Sequence, residues 1–144
     1  MSITIKNNSQ IDKMRKAGKI LKDTLDLLEK SIYPGQTTSR LNDLAYDYIK
    51  SQGAIPSFLN YEGFPFTICA SLNDQVVHGF CSDVPLKEGD IISIDVGVVI
   101  NGYNGDAART FAVLPASLPV ITNTVSFFLT FIVYLLITLR VRVR

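Results

Sequence analysis

Apolar residues recur every three or four positions through the opening segment: Ile11, Met14, Ala17, Leu21, Leu25, Leu28 and Ile32. Lys13, Lys16, Lys19 and Lys22 fall mostly between them. That period predicts an amphipathic helix with one buried face. Ser9 is the expected N-cap, with Asp12 in the reciprocal position three residues on, and Tyr33-Pro34-Gly35 ends the helix. A second helix is expected from Thr37 or Thr38, with Leu41, Leu44, Ala45 and Tyr48 facing inward and Gly53 at its C-terminal end.

The period changes after Ala54. From Ile55 to Phe66 the chain is aromatic and loop-like, with Phe58, Tyr61, Phe64 and Phe66 set among Pro56, Gly63 and Pro65. Thr67 to Leu72 reads as a strand and Gln75 to Gly79 as a second, short one; Asp83 to Asp90 is a turn-rich connector. Ile91 to Ile100 is strongly β-like, Asn101-Gly102 is the dipeptide preferred in two-residue hairpin turns, and Tyr103 to Val113 supplies the return strand. Helices followed by strands make an α+β chain.

The hairpin turn sets a register. With Asn101 and Gly102 at the turn, Asp95 faces Ala108 and Asp106 faces Gly97. Positions 95 and 97 share one face of the strand, so Asp106 lies diagonal to Asp95, roughly 7–8 Å away at the backbone. Asp95 stands in an apolar run from Ile91 to Val96, where an isolated carboxylate is costly to bury. Two carboxylates sharing a buried face disfavour each other's charge unless a cation lies between them. A divalent metal bridged by both is one reading, and a pair of such metals is a hydrolytic device. The other is a pair of solvent-facing aspartates near a hairpin end, since one bulge would reverse the parity.

The 144 residues hold 14 basic and 13 acidic side chains, a net charge of +1. An apolar content of 47% against 19% charged excludes a disordered chain. The near-zero charge leaves no electrostatic footprint for nucleic acid. Asp12, Asp23, Asp26 and Glu29 interleave with the lysines of the first helix, which favours a solvated face over a ribosome- or nucleic-acid-binding one. Two cysteines, Cys69 and Cys81, are too few to staple a secreted mini-protein, and the N-terminus carries no cleavable signal, so the reducing cytoplasm is the expected compartment.

His78 is the single histidine. Such a residue serves either as a structural hydrogen-bonder or, projected from the tight run Asn73 to Gly79, as a donor to a developing oxyanion or leaving group. Cys69 reads as a small buried residue, because no second histidine exists to activate it as a nucleophile. Gly97, Gly102 and Gly105 form no phosphate loop, since no helix start follows them.

Three runs taken together resemble a known family: SLNDQVVHG from Ser71 to Gly79, LKEGDIISIDVG from Leu86 to Gly97, and GYNGD from Gly102 to Asp106. With the opening helix around Asp12 to Gly18 and the Tyr33-Pro34-Gly35 turn, they are similar to type I methionine aminopeptidases from about residue 3 to Val113. The resemblance implies the N-terminal half of the pita-bread fold, in which two α/β halves enclose a site for two divalent ions (Co, Mn, Fe or Zn). By that resemblance Asp95 and Asp106 are metal ligands, the second bridging both ions. His78 contacts the scissile region as a catalytic and substrate-binding residue, and Phe58, Tyr61, Phe64 and Cys69 line the pocket for a methionine side chain. Phe58 replaces a small Cys often found there, which narrows the pocket. The implied activity is hydrolysis of the bond after an initiator Met that precedes a small residue. The implied partner is the N-terminal Met of nascent polypeptides, with the ribosome as one setting for the encounter. A separate N-terminal domain, as in the prolidase group, is not expected, because the likeness starts almost at Met1.

The likeness stops near Val113. After Asp106 the sequence contains no Asp, Glu or His, so the further histidine and two glutamates that the family supplies as ligands have no counterpart and the metal site is expected to be incomplete. Residues 1–113 are therefore expected to form the N-terminal half of the catalytic domain and residues 114–144 an unrelated apolar tail. Residues 1–112 carry −2, whereas residues 113–144 carry only Arg140, Arg142 and Arg144. Of the 22 residues from Leu118 to Leu139, 15 are apolar. Three readings of this segment are open: translation out of frame after a break in the coding sequence, a membrane anchor with a cytoplasmic arginine end, or a packed core segment. Membrane association follows only if 118–139 is a genuine span. The expected function is Met removal by the intact family fold, with little or no activity from this chain alone; the alternative is a non-catalytic or membrane-attached half used for binding.

Overall fold

The computed structural model describes residues 5–115. The apolar segment at 114–144 therefore lies almost entirely outside the described residues. Among the described residues no helix is long and apolar enough to cross a membrane.

The first helix, α1 (Asn8–Lys30), begins two residues earlier than a cap at Ser9 would give. Asn7 Oδ1 accepts from the Gln10 amide and Gln10 Oε1 accepts from the Asn7 amide, each at 2.9 Å. Amides at both ends of this box satisfy two of the orphan N–H groups reciprocally, which a Ser9–Asp12 pair inside the helix does not do. The buried stripe is Ala17, Ile20, Leu21, Thr24, Leu25 and Leu28. Ile20 and Thr24 join it, whereas Met14 is exposed and Ile11 only half-buried. Thr24 is tolerated there because its hydroxyl donates to Ile20 O at 2.8 Å.

The second helix, α2 (Thr38–Ser51), is capped by Thr37, whose hydroxyl accepts from the Arg40 amide. Thr38, Leu41, Ala45 and Ile49 are buried. Leu44 faces outward and Tyr48 is half-buried, so the inner face lies one position round from the expected one. Gly53, at φ +69, reverses the chain behind the helix.

Four strands follow: β1 (Ile55–Pro56), β2 (Ile68–Leu72), β3 (Ile91–Ile100) and β4 (Tyr103–Ala112). All pairings are antiparallel. Strand β4 runs along the whole of β3, while β2 and β1 pair with successive stretches of it, Ile92 to Val96 and then Val98 to Val99. Gly97 sits at the junction, where its carbonyl accepts from the Ser57 amide at 3.0 Å. Asn101 and Gly102 take φ +53 and +78, both left-handed, as the tight hairpin requires.

Residues 75–79 do not form the expected strand. The segment is tied to β2 at its two ends instead: the Gln75 amide donates to Leu72 O at 2.9 Å and the Gln75 side-chain oxygen accepts from the Leu72 amide at 3.0 Å, while the Ala70 amide donates to Gly79 O at 2.9 Å and the Gly79 amide donates to Ser71 Oγ at 3.0 Å. One side-chain acceptor replaces the next rung of a ladder, so pairing cannot propagate.

The sheet has two unlike faces. Ile92, Ile94, Val96 and Val98 are fully buried with Leu25, Leu28, Leu41 and Ile49 of the helices. Their neighbours Ser93, Asp95 and Val99 are only partly covered. Gly105 lets α1 close on β4, because a Cβ there would lie 3.2 Å from the Ala17 carbonyl carbon. Arg109 spans the same seam, donating to Asp26 Oδ1 at 2.7 Å and lying 3.6 Å from Glu29 Oε2. The helices thus cover one face, and the other is left for chemistry.

Candidate active site

Residues from five parts of the chain converge on the uncovered face. Strand β3 supplies Asp95 and β4 supplies Asp106, in the register expected from the turn: Asp95 opposite Ala108 and Gly97 opposite Asp106. Strand β2 supplies Cys69, the direct cross-strand partner of Asp95. The 73–80 loop supplies His78, and the 57–66 loop supplies Phe58, Tyr61 and Phe64. All seven residues singled out in the sequence line one open cleft of about 510 Å³. Glu62, Gly63 and Phe80 line it as well. Phe80 was legible in principle, since it lies two residues beyond His78; Glu62 had no signal beyond its place between two aromatics.

The walls are set by local backbone and packing. Tyr61–Gly63 forms a single 3-10 turn with unusual conformations before and within it: Asn60 at φ +65, then Glu62 at +49 and Gly63 at +84. The turn is closed by the Phe64 amide donating to Tyr61 O at 2.9 Å and the Asn60 amide donating to Phe64 O at 2.7 Å. Phe64, Phe66 and Phe80 then pack edge to face in a triangle, with centroids 5.4 to 5.8 Å apart. Phe64 and Phe80 present this apolar corner to the cleft. Across from it, Gly97 leaves room for Phe58: a Cβ at position 97 would lie 2.6 Å from Phe58 Cε1 and overlap the Ser57 hydroxyl.

His78 is held at φ +58, a left-handed conformation that costs a β-substituted residue about 1 kcal/mol. The next residue is tightly docked, because a Cβ on Gly79 would overlap the Ala70 carbonyl. The other end of the loop is pinned by Asn73, whose side chain accepts from the Ile91 amide at 3.0 Å and donates to Asp90 Oδ1 at 3.1 Å. Val76 and Val77, between the two anchors, are exposed.

Electrostatically the cleft is acidic. Asp95 Oδ1 is buried and has no hydrogen-bond partner. Burial, and then the neighbouring charge of Asp106, push the Asp95 carboxyl up to about 6, against a smaller opposing effect of His78. Burial and the charges of Asp95 and Asp106 push the Cys69 thiol up to about 11, so it is not a nucleophile near neutral pH. An unpartnered buried carboxylate oxygen facing a second carboxylate is the donor chemistry of a hard divalent cation. The pair does not complete a coordination shell: among the described residues no group of three or more His, Cys, Asp and Glu side chains could hold a metal.

Comparison with known proteins places this arrangement. The profile of metallopeptidase family M24 matches residues 12–125. A methionine aminopeptidase from Clostridium acetobutylicum is 56% identical over 112 residues, which are 77% of this chain and 45% of that protein. The crystal structure of methionine aminopeptidase from Rickettsia prowazekii superposes with a TM-score of 0.77 at 45% identity, covering 81% of this chain and 47% of that one. An Xaa-Pro dipeptidase from Bacillus anthracis superposes with a TM-score of 0.65 at 25% identity, over 78% of this chain and 31% of that one. The helices and sheet described above are thus one half of the pita-bread fold, and the chain spans about half the length of the methionine aminopeptidases it matches. Divalent metal use is a property of that family. The chain belongs to metallopeptidase family M24.

Proposed function

We propose that the cleft is the methionine-binding half of a methionine aminopeptidase active site, with Asp95 and Asp106 as its share of the metal ligands. The observation that carries this reading is the convergence of His78, Cys69, Phe58, Tyr61, Phe64, Asp95 and Asp106 on one cleft in which Asp95 Oδ1 is buried and unpartnered. The 45–56% identity to proteins named methionine aminopeptidase supports the choice of substrate.

Each residue has a task in this reading. The edge-to-face corner at Phe64 and Phe80, with Phe58, Tyr61 and Cys69, takes the unbranched apolar methionine side chain and excludes water from it. Asp95 and Asp106 hold the cations, their two charges compensated by ions that relieve the cost of burying Asp95. Bound divalent ions supply Lewis-acid polarisation of the scissile carbonyl and activation of water. His78 donates a hydrogen bond from its ring to the scissile amide region, held at the rim by its loop. A free amine at the N-terminus of the peptide meets the acidic lining, which favours exopeptidase cleavage.

The 144-residue polypeptide by itself lacks peptidase activity in this reading. Two carboxylates leave most of each ion's coordination to water, and no Asp, Glu or His follows Asp106. Residues 1–113 act as the catalytic half, residues 114–144 contribute no site residue, and the nascent-chain N-terminus in the cytoplasm is the substrate.

A chimera tests both statements. Residues 5–113 replace the matching segment of the Clostridium acetobutylicum methionine aminopeptidase, and Met release from a Met-Ala-Ser peptide is followed with Co²⁺ or Mn²⁺. The chimera cleaves and a chelator stops it, whereas 1–144 alone releases no Met. A folded, metal-loaded chimera without activity overturns the assignment, and chelator-sensitive release by 1–144 overturns the inactivity of the chain.

A further inference from the structure

Ser71 is one of only a few polar residues buried among the described residues, at 4% exposure. It lies on β2 opposite Ser93 of β3 and is not among the residues that line the cleft. Its oxygen accepts a hydrogen bond from the Gly79 amide at 3.0 Å. The Gly79 carbonyl in turn accepts from the Ala70 amide at 2.9 Å. These two bonds are the whole attachment of the His78 end of the 73–79 loop to the sheet.

His78 precedes this anchor directly and has a left-handed backbone, φ +58. Such a conformation in a residue with a Cβ persists only where the surroundings over-determine it. Here the over-determination is visible. Gly79 lies flat against Ala70 and Ser71, so close that a Cβ would overlap the Ala70 carbonyl, and both of its backbone polar groups are taken. Freeing the Gly79 amide would release the one donor that sets the loop's height above β2. The neighbouring exposed residues Val76 and Val77 provide no alternative hold.

We propose that Ser71 is a positioning residue: through its hydroxyl bond to Gly79 it holds His78 in the left-handed backbone that presents the imidazole to the cleft. Ser71 itself touches no reacting group. The proposal rests on the reading of His78 as the cleft's functional imidazole, but its test does not need peptidase activity.

His78 is the only histidine in the sequence, so its ring gives a single Cε1–H imidazole cross-peak in the NMR spectrum of the full 144-residue chain. With chelator present, Ser71→Ala speeds amide hydrogen exchange at Gly79 at least tenfold and moves the His78 ring cross-peak to the narrow position it has in urea. The Ile94 and Val96 amides of β3 keep their protection. Ser71→Thr, which retains the hydroxyl, restores both signals. An unmoved His78 cross-peak in folded Ser71→Ala overturns the proposal. So does equal loss of protection along β3, because Ser71 would then be a plain structural residue. Should Ser71→Ala not fold, Ser71→Cys decides: with similar volume and a weaker acceptor, it accelerates Gly79 exchange and shifts the ring signal, and a wild-type spectrum from it overturns the proposal. Failure of the chimera to cleave peptide leaves these readouts intact, so the two readings fail separately.

Discussion

Asp106 pairs across the hairpin with Gly97 and so stands diagonal to Asp95 on the face of the sheet that the helices leave uncovered. This places a second carboxylate beside one whose Oδ1 is buried without a partner. A protein gains nothing in stability from that arrangement on its own. It is a cost unless something positive occupies the gap.

That cost has a sign that can be measured. The folded-state value of the Asp95 carboxyl is raised from 3.8 to about 6, so the folded chain binds more protons than the unfolded chain between those values. Stability from this group therefore falls as pH rises from about 4 through 6, by on the order of 3 kcal/mol. Asp95→Asn removes the penalty. In chelator near neutral pH its Tm exceeds that of the wild type, and the difference shrinks as pH is lowered through 6. Equal Tm values across the range would show that the carboxylate is not strained by its surroundings.

Divalent metal reverses the ranking. Mn²⁺ stabilises the wild-type chain and binds weakly, as two carboxylates allow. Asp106→Asn and Asp95→Asn each weaken Mn²⁺ binding at least about tenfold, measured by the loss of the free-ion EPR signal. Unchanged binding in either variant would remove that residue from the ligand set.

Gly97 makes the wall as well as the register. Gly97→Ala drives a Cβ against Ser57 and the Phe58 ring. It destabilises the fold by about 2 kcal/mol in urea unfolding, the usual cost of overpacking against backbone-anchored neighbours. A stability within error of the wild type would mean that Phe58 swings freely out of the cleft.

The two thiols resist alkylation in the folded chain. Burial, with the charges of Asp95 and Asp106, holds Cys69 at about 11, and burial, with the nearby Cys69, holds Cys81 at about 12. At a pH near 8 their thiolate fractions are about a hundredfold or more below that of an ordinary cysteine. Iodoacetamide labelling followed by mass spectrometry is slow for both until urea is added. Rapid modification of Cys69 in the native chain would contradict its environment.

Much of the site follows from short-range rules that act within the sequence. The Asn101-Gly102 dipeptide admits the left-handed pair of a tight hairpin, and the two-residue period then pairs Asp95 with Ala108 and Gly97 with Asp106 with no tertiary information. The alternation from Ile91 to Ile100 likewise marks which side of β3 is core, because side chains on a strand must alternate.

The cap at Asn7 rather than Ser9 is also local, a reciprocal pair with Gln10 three residues on. Other features depended on groups distant in the chain. The buried stripe of α1 kept Ala17, Leu21, Leu25 and Leu28 and widened to take in Ile20 and Thr24, and the inner face of α2 turned by a residue, because each helix had to meet a sheet whose position no helix can know. Residues 75–79 had the composition of a strand, yet attach to β2 only at their ends, where Gln75 meets Leu72 and Gly79 meets Ala70 and Ser71. Local pattern determines which residues can share a face, since that is a matter of backbone period. Which loop closes over that face, and whether a buried carboxylate finds a partner there, is decided only when segments tens of residues apart compete for the same space and the same hydrogen bonds.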